Sequence, residues 1–277
     1  IFLFDLKMTK LIAEIGWNHM GNLKIAKQMI KSAKNSGADY VKTQIFDTKY
    51  LNKGPWDNDG RRNIYKKAQL DKKKYQSMFR YANKIGIKLF SSVVNKHGID
   101  LLKKIQKNII KIPSAHNRDI DLICYALKNF KKVIISLGAT NLNDIKKIIK
   151  LTKKKQFQKK IILFHCVSTY PCKFDKINLP KISYLKNYYD KIGFSDHTEN
   201  IYASILSLKY DPIMIEKHFT INKRLPGRDN QLSILPKELA EIRKFIDISK
   251  KTQVFRGLSF LKEEKIIRKI YSKRWSD

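Results

Sequence analysis

The residue pattern predicts an α/β fold, a (β/α)8 barrel of the TIM type. Three observations carry that reading. Eight short runs rich in β-branched and apolar residues recur along the chain, separated by stretches with apolar residues three or four apart, and strand–helix alternation of this kind builds a parallel sheet. The alternation fills nearly all of the 277 residues, and a closed barrel of eight units takes about 250. Polar residues inside the strand runs gather at their C-terminal ends, the rim where barrel enzymes build their sites. The rival, an open doubly wound sheet, usually has a glycine-rich phosphate turn after its first strand. Here that turn reads Gly16-Trp-Asn-His-Met-Gly21 and does not match GxGxxG.

Taken in order, strand 11–16 precedes a helix at 23–36, whose Ile25, Met29, Ile30 and Ala33 share one face and whose end is marked by Gly37. Strand 40–46 leads into 47–67, a polar segment with Pro55-Trp-Asp-Asn-Asp-Gly60. It reads as a long loop able to cover the barrel mouth. Helix 71–84, strand 88–94, helix 97–107, strand 109–114, helix 119–130 and strand 132–138 follow. Helix 141–155 has Asn141 or Asn143 as its N-cap and precedes strand 161–167. The stretch 171–190 is weakly periodic, with room for a short helix only. Strand 191–197, helix 199–209 capped by Thr198, strand 212–219 and helix 236–252 complete the set.

Charge is the most unusual compositional feature. Lys and Arg number 58 against 24 acidic residues, for a net +34, which raises nucleic acid as a partner. The lysines are spread over the polar faces of nearly every helix, as in Lys24, Lys27, Lys31 and Lys34 or Lys146, Lys147, Lys150 and Lys153. That spacing describes a solvated surface, so no specific nucleic-acid partner is expected. No apolar run approaches the ~18 residues of a membrane span, and Ile1-Phe-Leu-Phe-Asp5 is too short for a signal peptide. Met8 reads as a start, with residues 1–7 preceding it as an artefact. The three cysteines, Cys124, Cys166 and Cys172, are odd in number and lack metal-ligand spacing, which fits a reducing, cytoplasmic setting. A local Cys166–Cys172 pair is the less favoured alternative to free thiols.

Two histidines close the last two strands: His197 in Lys191-Ile-Gly-Phe-Ser-Asp-His-Thr and His218 in Pro212-Ile-Met-Ile-Glu-Lys-His-Phe-Thr. Side chains alternate along a strand, so Ser195 shares a face with His197, and Met214 and Glu216 share one with His218. One such histidine alone would most often be a hydrogen-bonded core residue. Two on neighbouring strand ends, beside a carboxylate, can hold a divalent metal. Glu14, Lys42, Gln44, Ser91 or Ser92, Lys111, Ser114, Ser136, Ser168 and Tyr170 ring the same mouth. A lysine inside an apolar strand is costly unless paired or used. Lys42 and Lys111, among serine hydroxyls, therefore point to a cationic site for phosphate or carboxylate. His19, His97 and His165 read as structural.

At these residues the chain resembles the sialic acid synthase family. The motifs are Ile12-Ala-Glu-Ile-Gly-Trp-Asn-His-Met-Gly-Asn22, Val41-Lys-Thr-Gln44, Lys111-Ile-Pro-Ser114, His165-Cys-Val-Ser-Thr-Tyr-Pro171, Phe194-Ser-Asp-His-Thr198 and Ile215-Glu-Lys-His-Phe-Thr220. Pro226-Gly-Arg-Asp229 resembles the family's Pro-Gly-Pro-Asp segment. The likeness runs over roughly 11–270 and keeps its order. It implies a (β/α)8 barrel that condenses phosphoenolpyruvate with an N-acetylated aminosugar, such as N-acetylmannosamine, giving a nonulosonic acid and phosphate. By resemblance His197 and His218 are Mn(II) ligands. Lys42, Lys111, Ser114 and Ser195 hold phosphoenolpyruvate, with Ser92 in place of a family threonine and Asn63 a further contact in the 47–67 loop. Glu14, Gln44, Tyr170 and Asp229 surround the sugar, and Glu216 lies beside the metal.

The departures bear on the acceptor. After Lys111-Ile-Pro-Ser114 the family commonly has Gly-Glu or Gly-Asp, whereas this chain has Ala115-His116-Asn117. His116 thus replaces a proton-transfer carboxylate or leaves that role to another group, and Glu14, His116 and Glu216 are the candidate catalytic residues. Ser168 stands where some members have asparagine. The resemblance divides the chain into an N-terminal extension (1–10), the barrel (11–258) and a connector (259–277) toward an antifreeze-like domain that the sequence lacks. It also implies a homodimer. Two other readings are weighed. A non-catalytic basic barrel binding anionic polymers would ignore chelators and bind with a steep salt dependence. A different metal-dependent aldolase would not use phosphoenolpyruvate.

Overall fold

The computed structural model describes residues 8–272, 274 and 275. The β-branched runs form eight parallel strands, each paired with its sequence neighbours: β1 (Lys10–Gly16), β2 (Tyr40–Ile45), β3 (Lys88–Val93), β4 (Ile109–Ile112), β5 (Lys132–Ser136), β6 (Ile161–Cys166), β7 (Ile192–Asp196) and β8 (Met214–His218). β8 returns to β1 and closes the barrel. The helices are α1 (Leu23–Asn35), α2 (Arg61–Ala68), α3 (Lys72–Lys84), α4 (Lys96–Lys103), α5 (Ile120–Asn129), α6 (Leu142–Thr152), α7 (Lys181–Lys186), α8 (Tyr202–Ser207), α9 (Arg228–Leu232), α10 (Pro236–Thr252) and α11 (Lys265–Tyr271). The expected (β/α)8 barrel is the observed fold.

Alternation along the strands makes two apolar layers. Outward side chains such as Leu11, Val41, Ile110, Val133, Leu163 and Ile215 pack with Met29, Phe79, Leu127 and Leu239 of the surrounding helices. Inward side chains Ile12, Phe90, Ile109, Ile134, Ile162, Phe164 and Met214 fill the barrel itself. This second set fixes the register: every residue an even number of positions further along its strand also faces in. No helix of the described residues is long and apolar enough to cross a membrane, and Cys124, Cys166 and Cys172 are all free.

Several local expectations change. Segment 47–67 is not irregular throughout, for α2 begins at Arg61. Its polar composition and the left-handed Gly60 at its start gave no apolar period to read. Asn141, not Asn143, caps α6, accepting from Asp144 N in a reciprocal capping box. Thr198 caps no helix. Its hydroxyl donates to Asp196, and α8 starts only at Tyr202. Gly37 takes the expected left-handed conformation after α1, with φ +84°. Lys10, expected in an N-terminal extension, is already in β1; residues 1–7 of that extension, and Lys273, Ser276 and Asp277 of the connector, lie outside the described residues.

His19 and His165 are indeed core residues, whereas His97 is exposed and stacks near Tyr50. Burial lowers the pKa of His165 to about 4, and burial does the same at His19. An unfolded histidine titrates near ~6.5. The folded state therefore binds fewer protons, and its stability is full above that value and lost as pH falls toward 4. Each group contributes up to about 3 kcal/mol across this window. Thermal midpoints should be level above pH ~7 and drop between ~6.5 and ~4. His165→Phe, which preserves stacking on Phe194, should flatten part of the drop; an unchanged pH profile would argue against this assignment.

Candidate active site

Above the inner apolar layer each strand turns a polar or thiol side chain inward. Parallel pairing sets Glu14 beside Lys42 and His218, Gln44 beside Ser92, and Ser92 beside Lys111. It sets Ser195 between Cys166 and Glu216. Of the two serines on β3, Ser92 is the inward one. Ser91 points outward and donates to Thr43 O.

At the centre is a lattice of ion pairs. Lys42 Nζ lies 2.8 Å from Glu14 Oε1 and 3.5 Å from Glu216 Oε1, and Lys111 Nζ is 2.7 Å from the same Glu216 oxygen. Gln44 Nε2 donates to Glu14 at 2.9 Å, and Ser195 Oγ to Glu216 at 3.2 Å. All four charged residues are at most 4% exposed, so each stays charged because of its partners. Burial works against the Lys42 ammonium, but Glu14 and Glu216 outweigh it and raise its pKa. Lys111 has one carboxylate, and burial followed by repulsion from Lys42 leaves its pKa lowered. Burial disfavours the Glu216 carboxylate, yet Lys111 and Lys42 prevail and lower its pKa. The expected cationic cluster is thus charge-balanced: two ammonium groups face two carboxylates. Each ammonium has three protons, so donors remain for an added anion.

Beside Lys111 is a cradle of small side chains. Ser114 Oγ is 2.9 Å from Ser136 Oγ and 3.3 Å from Cys166 Sγ, and Ser136 Oγ is 3.1 Å from the same sulfur. Ser168 Oγ stands 3.7 Å from it. Gly138 keeps the space open, since a Cβ there would collide with Ser168, Ser114 and Cys166 at once. Cys166 carried no role in the sequence reading; its inward parity on β6 was the available signal.

The two imidazoles stand across the lattice, with ring centroids 5.7 Å apart. His197 Nδ1 lies 2.8 Å from Val167 O. A carbonyl only accepts, so Nδ1 carries the proton and Nε2 a lone pair. Burial, then the neighbouring His218, holds the His197 pKa down to about 3. Nε2 is approached by the Tyr170 hydroxyl at 3.2 Å and Ser195 Oγ at 3.4 Å. His218 Nδ1 is buried without a hydrogen-bond partner. A neutral ring whose Nε2 lone pair is met only by hydroxyls able to turn away, and a second ring with an unpartnered nitrogen, suit a cation. Among the described residues no set of three His, Cys, Asp or Glu surrounds one point, so a cation held here would have these two rings as its protein ligands.

Over the rings opens a cavity of about 900 Å³, lined in part by Gln44, Asn63, Tyr170, His218 and Asp229. Asp229 is held from behind. Buried Asn230 donates to Asn18 O at 3.0 Å and to Pro226 O at 2.7 Å, and accepts from Thr220 Oγ1 at 2.5 Å. Ser233 Oγ donates to Asp229 O at 2.6 Å. This network ties the loop after β8 to the turn after β1, and sequence inspection missed it because the partners are far apart in the chain.

Residues 29–254 match the NeuB family model. The chain belongs to the NeuB family. This is a family of sialic-acid-type nonulosonic acid synthases. The chain is 34% identical over 247 residues to the N,N'-diacetyllegionaminic acid synthase of Campylobacter jejuni, covering 84% of this chain and 74% of that protein. It is 31% identical over 242 residues to the pseudaminic acid synthase of Helicobacter pylori, covering 83% and 71%. Among solved structures, the N-acetylneuraminic acid synthetase of Leptospira borgpetersenii in complex with citrate superposes with TM-score 0.85 at 29% identity, covering 99% of this chain and 98% of that one.

In this NeuB-family barrel the sequence-selected residues fall into distinct places. Glu14, Lys42, Lys111, Ser195 and Glu216 form the lattice, with Gln44 and Ser92 beside it in register. Ser114 and Ser168 belong to the cradle, and Tyr170, His197 and His218 to the imidazole cluster. Asn63 and Asp229 line the cavity above. His116 stands apart on the short turn Ser114–His116 after β4. It does not line that cavity, and burial lowers its pKa while Asp119 opposes the shift.

Proposed function

We propose that this protein condenses phosphoenolpyruvate with an N-acetylated aminosugar, N-acetylmannosamine or a related one, to give a nonulosonic acid and phosphate. The observation that carries the reading is the convergence in one mouth of buried lysines, a serine cradle and two imidazoles, in a NeuB-family chain. Lys42, Lys111, Ser92 and Ser195 would hold the carboxylate and phosphate, with Ser114, Ser168 and Ser136 closing on the phosphate oxygens. Glu14, Gln44, Asn63, Tyr170 and Asp229 would receive the sugar in the cavity. The π electrons of the enol carbon attack the open-chain aldehyde; its carbonyl π bond opens as the carbon–carbon bond forms, its oxygen takes up a proton, and carbon 2 becomes oxocarbenium-like. Water adds at carbon 2, its proton passes to a carboxylate or imidazole at the rim, and phosphate leaves with its carbon–oxygen bond cleaved. Glu14, paired with Lys42 and Gln44, is the carboxylate assigned to that proton; Glu216 keeps the lysines oriented, and His116 is the alternative proton acceptor on the turn after β4. A divalent metal, Mn(II) by resemblance, would be held by His197 and His218 and polarise the aldehyde oxygen.

The exposed apolar side chains Phe255, Leu258, Ile266 and Ile270 support a homodimer, and the free thiols suit a cytoplasmic setting. The test of the main reading is phosphate release over a panel of N-acetylated mannose and altrose derivatives. Release should need both phosphoenolpyruvate and a sugar, and mass spectrometry should find the condensed acid. Turnover of the sugar with pyruvate in place of phosphoenolpyruvate would select the aldolase reading instead.

Gly138→Ala tests the cradle. The backbone of this turn is not left-handed, so alanine adds no backbone strain, but its methyl must displace the side chains of Ser114, Ser168 and Cys166. The phosphoenolpyruvate KM should rise about tenfold, the loss of roughly one hydrogen bond, with the sugar KM little changed. An unaltered phosphoenolpyruvate KM would remove the cradle from the phosphate site.

A further inference from the structure

The alternation that turns His197 and His218 into the barrel turns Asp196 and Lys217 out of it. These neighbours are paired in register on β7 and β8 and meet behind the imidazoles, between sheet and helices. Lys217 Nζ lies 3.1 Å from Asp196 Oδ2, and the two side chains are 1% and 0% exposed. The ammonium also donates to Thr198 O at 2.5 Å and Thr198 Oγ1 at 3.2 Å. Asp196 Oδ1 accepts from Thr198 N and Oγ1, each at 2.8 Å, and Oδ2 accepts from Ser204 Oγ at 2.6 Å. Both residues are fully engaged, and neither reaches the mouth.

Such a pair is a costly way to join two strands. Apolar residues of similar volume often give stability equal to or greater than that of a fully buried pair. What charge and directed hydrogen bonds add is geometry. The pair fixes the spacing of β7 and β8 one residue before each imidazole, and the bonds to Thr198 fix the chain just after His197. His197 is therefore bracketed on both sides by one network.

We propose that Asp196 and Lys217 form a positioning clamp that sets the separation of the two imidazoles for a divalent cation. The inference rests on the reading that His197 and His218 hold that cation. Neither clamp residue touches substrate or metal. Their effect should therefore appear in metal affinity and leave the lysine–serine anion site intact.

The experiment compares the wild type, D196N/K217M and Thr198→Val. The double variant removes both charges and leaves none unpaired. Thr198→Val is milder and removes only the hydroxyl shared by the two partners. Mn(II) affinity is read from the electron paramagnetic resonance signal of free Mn(II). Phosphoenolpyruvate affinity without metal and the metal-free thermal midpoint are measured alongside. The double variant should bind Mn(II) ten- to a hundredfold more weakly than the wild type, the usual cost of losing support behind a metal ligand, and Thr198→Val severalfold more weakly. Phosphoenolpyruvate affinity should stay within about twofold, a smaller change than one lost hydrogen bond. Wild-type Mn(II) affinity in a folded variant overturns the clamp. A parallel fall in both affinities overturns it too, by showing general loosening of the barrel. If the double variant does not fold, Thr198→Val decides by the same comparison. Failure of the wild type to bind Mn(II) removes the metal reading itself, and the clamp with it.

Discussion

Replacing either imidazole should abolish turnover. His197→Ala and His218→Ala each remove one of the two imidazoles assigned to the proposed cation site. No third side chain stands ready to compensate among the described residues. Chelation of the wild type should have the same effect, reversed by added Mn(II). The expected loss is at least a thousandfold in kcat, since polarisation of the aldehyde is worth several kcal/mol. His197 is 8% exposed and His218 is less buried, so both variants should fold. Circular dichroism and phosphoenolpyruvate affinity serve as controls. Full activity in either variant, or indifference to chelators, would refute the metal assignment.

The second large effect belongs to the ion lattice. Lys111→Met leaves Glu216 with Lys42 at 3.5 Å and the Ser195 hydroxyl at 3.2 Å. Breaking a buried pair from one side costs about 3–5 kcal/mol, and these remaining partners put the expected loss near the lower end. The phosphoenolpyruvate KM should rise ten- to a hundredfold, equivalent to a charge-assisted bond of about 1.5–3 kcal/mol. The double variant Lys111→Met with Glu216→Gln separates the two consequences. It removes the stranded charge, so the thermal midpoint should recover substantially while the KM stays high. If both recovered together, Lys111 would be a structural lysine only.

The barrel was legible because strand and helix periods differ and alternate without interruption. Parity along each strand also selected the inward residues correctly, as at Ser195, Glu216 and His218. The partners of those residues were not legible. Lys111 and Glu216 are far apart in sequence and meet only because the barrel closes, so an expected surplus of positive charge turned out balanced. The Asn18–Asn230 tie was missed for the same reason. Two helical details failed more locally. The α2 segment lacks an apolar stripe, and Thr198 spends its hydroxyl on Asp196 instead of on a helix end. The likeness of motifs selected His116 by its position after Lys111-Ile-Pro-Ser114, and the structure sets it on the short turn after β4, beside the cradle residue Ser114 in sequence.

Charge balance inside the barrel has a consequence for the outside. Glu14 and Glu216 offset Lys42 and Lys111, and Asp196 offsets Lys217. The formal excess of +34 is therefore carried by other residues, chiefly the lysines of the exposed helix faces. In the proposed function the interior would recognise an anion by directed donors at short range, whereas the exterior supplies a long-range field. Capture and recognition are thus physically separate. Dissolved salt weakens the first over a Debye length of about 8 Å at physiological ionic strength and scarcely alters the second. Encounter with small anions is a property of the shell, and selection among them is a property of the mouth.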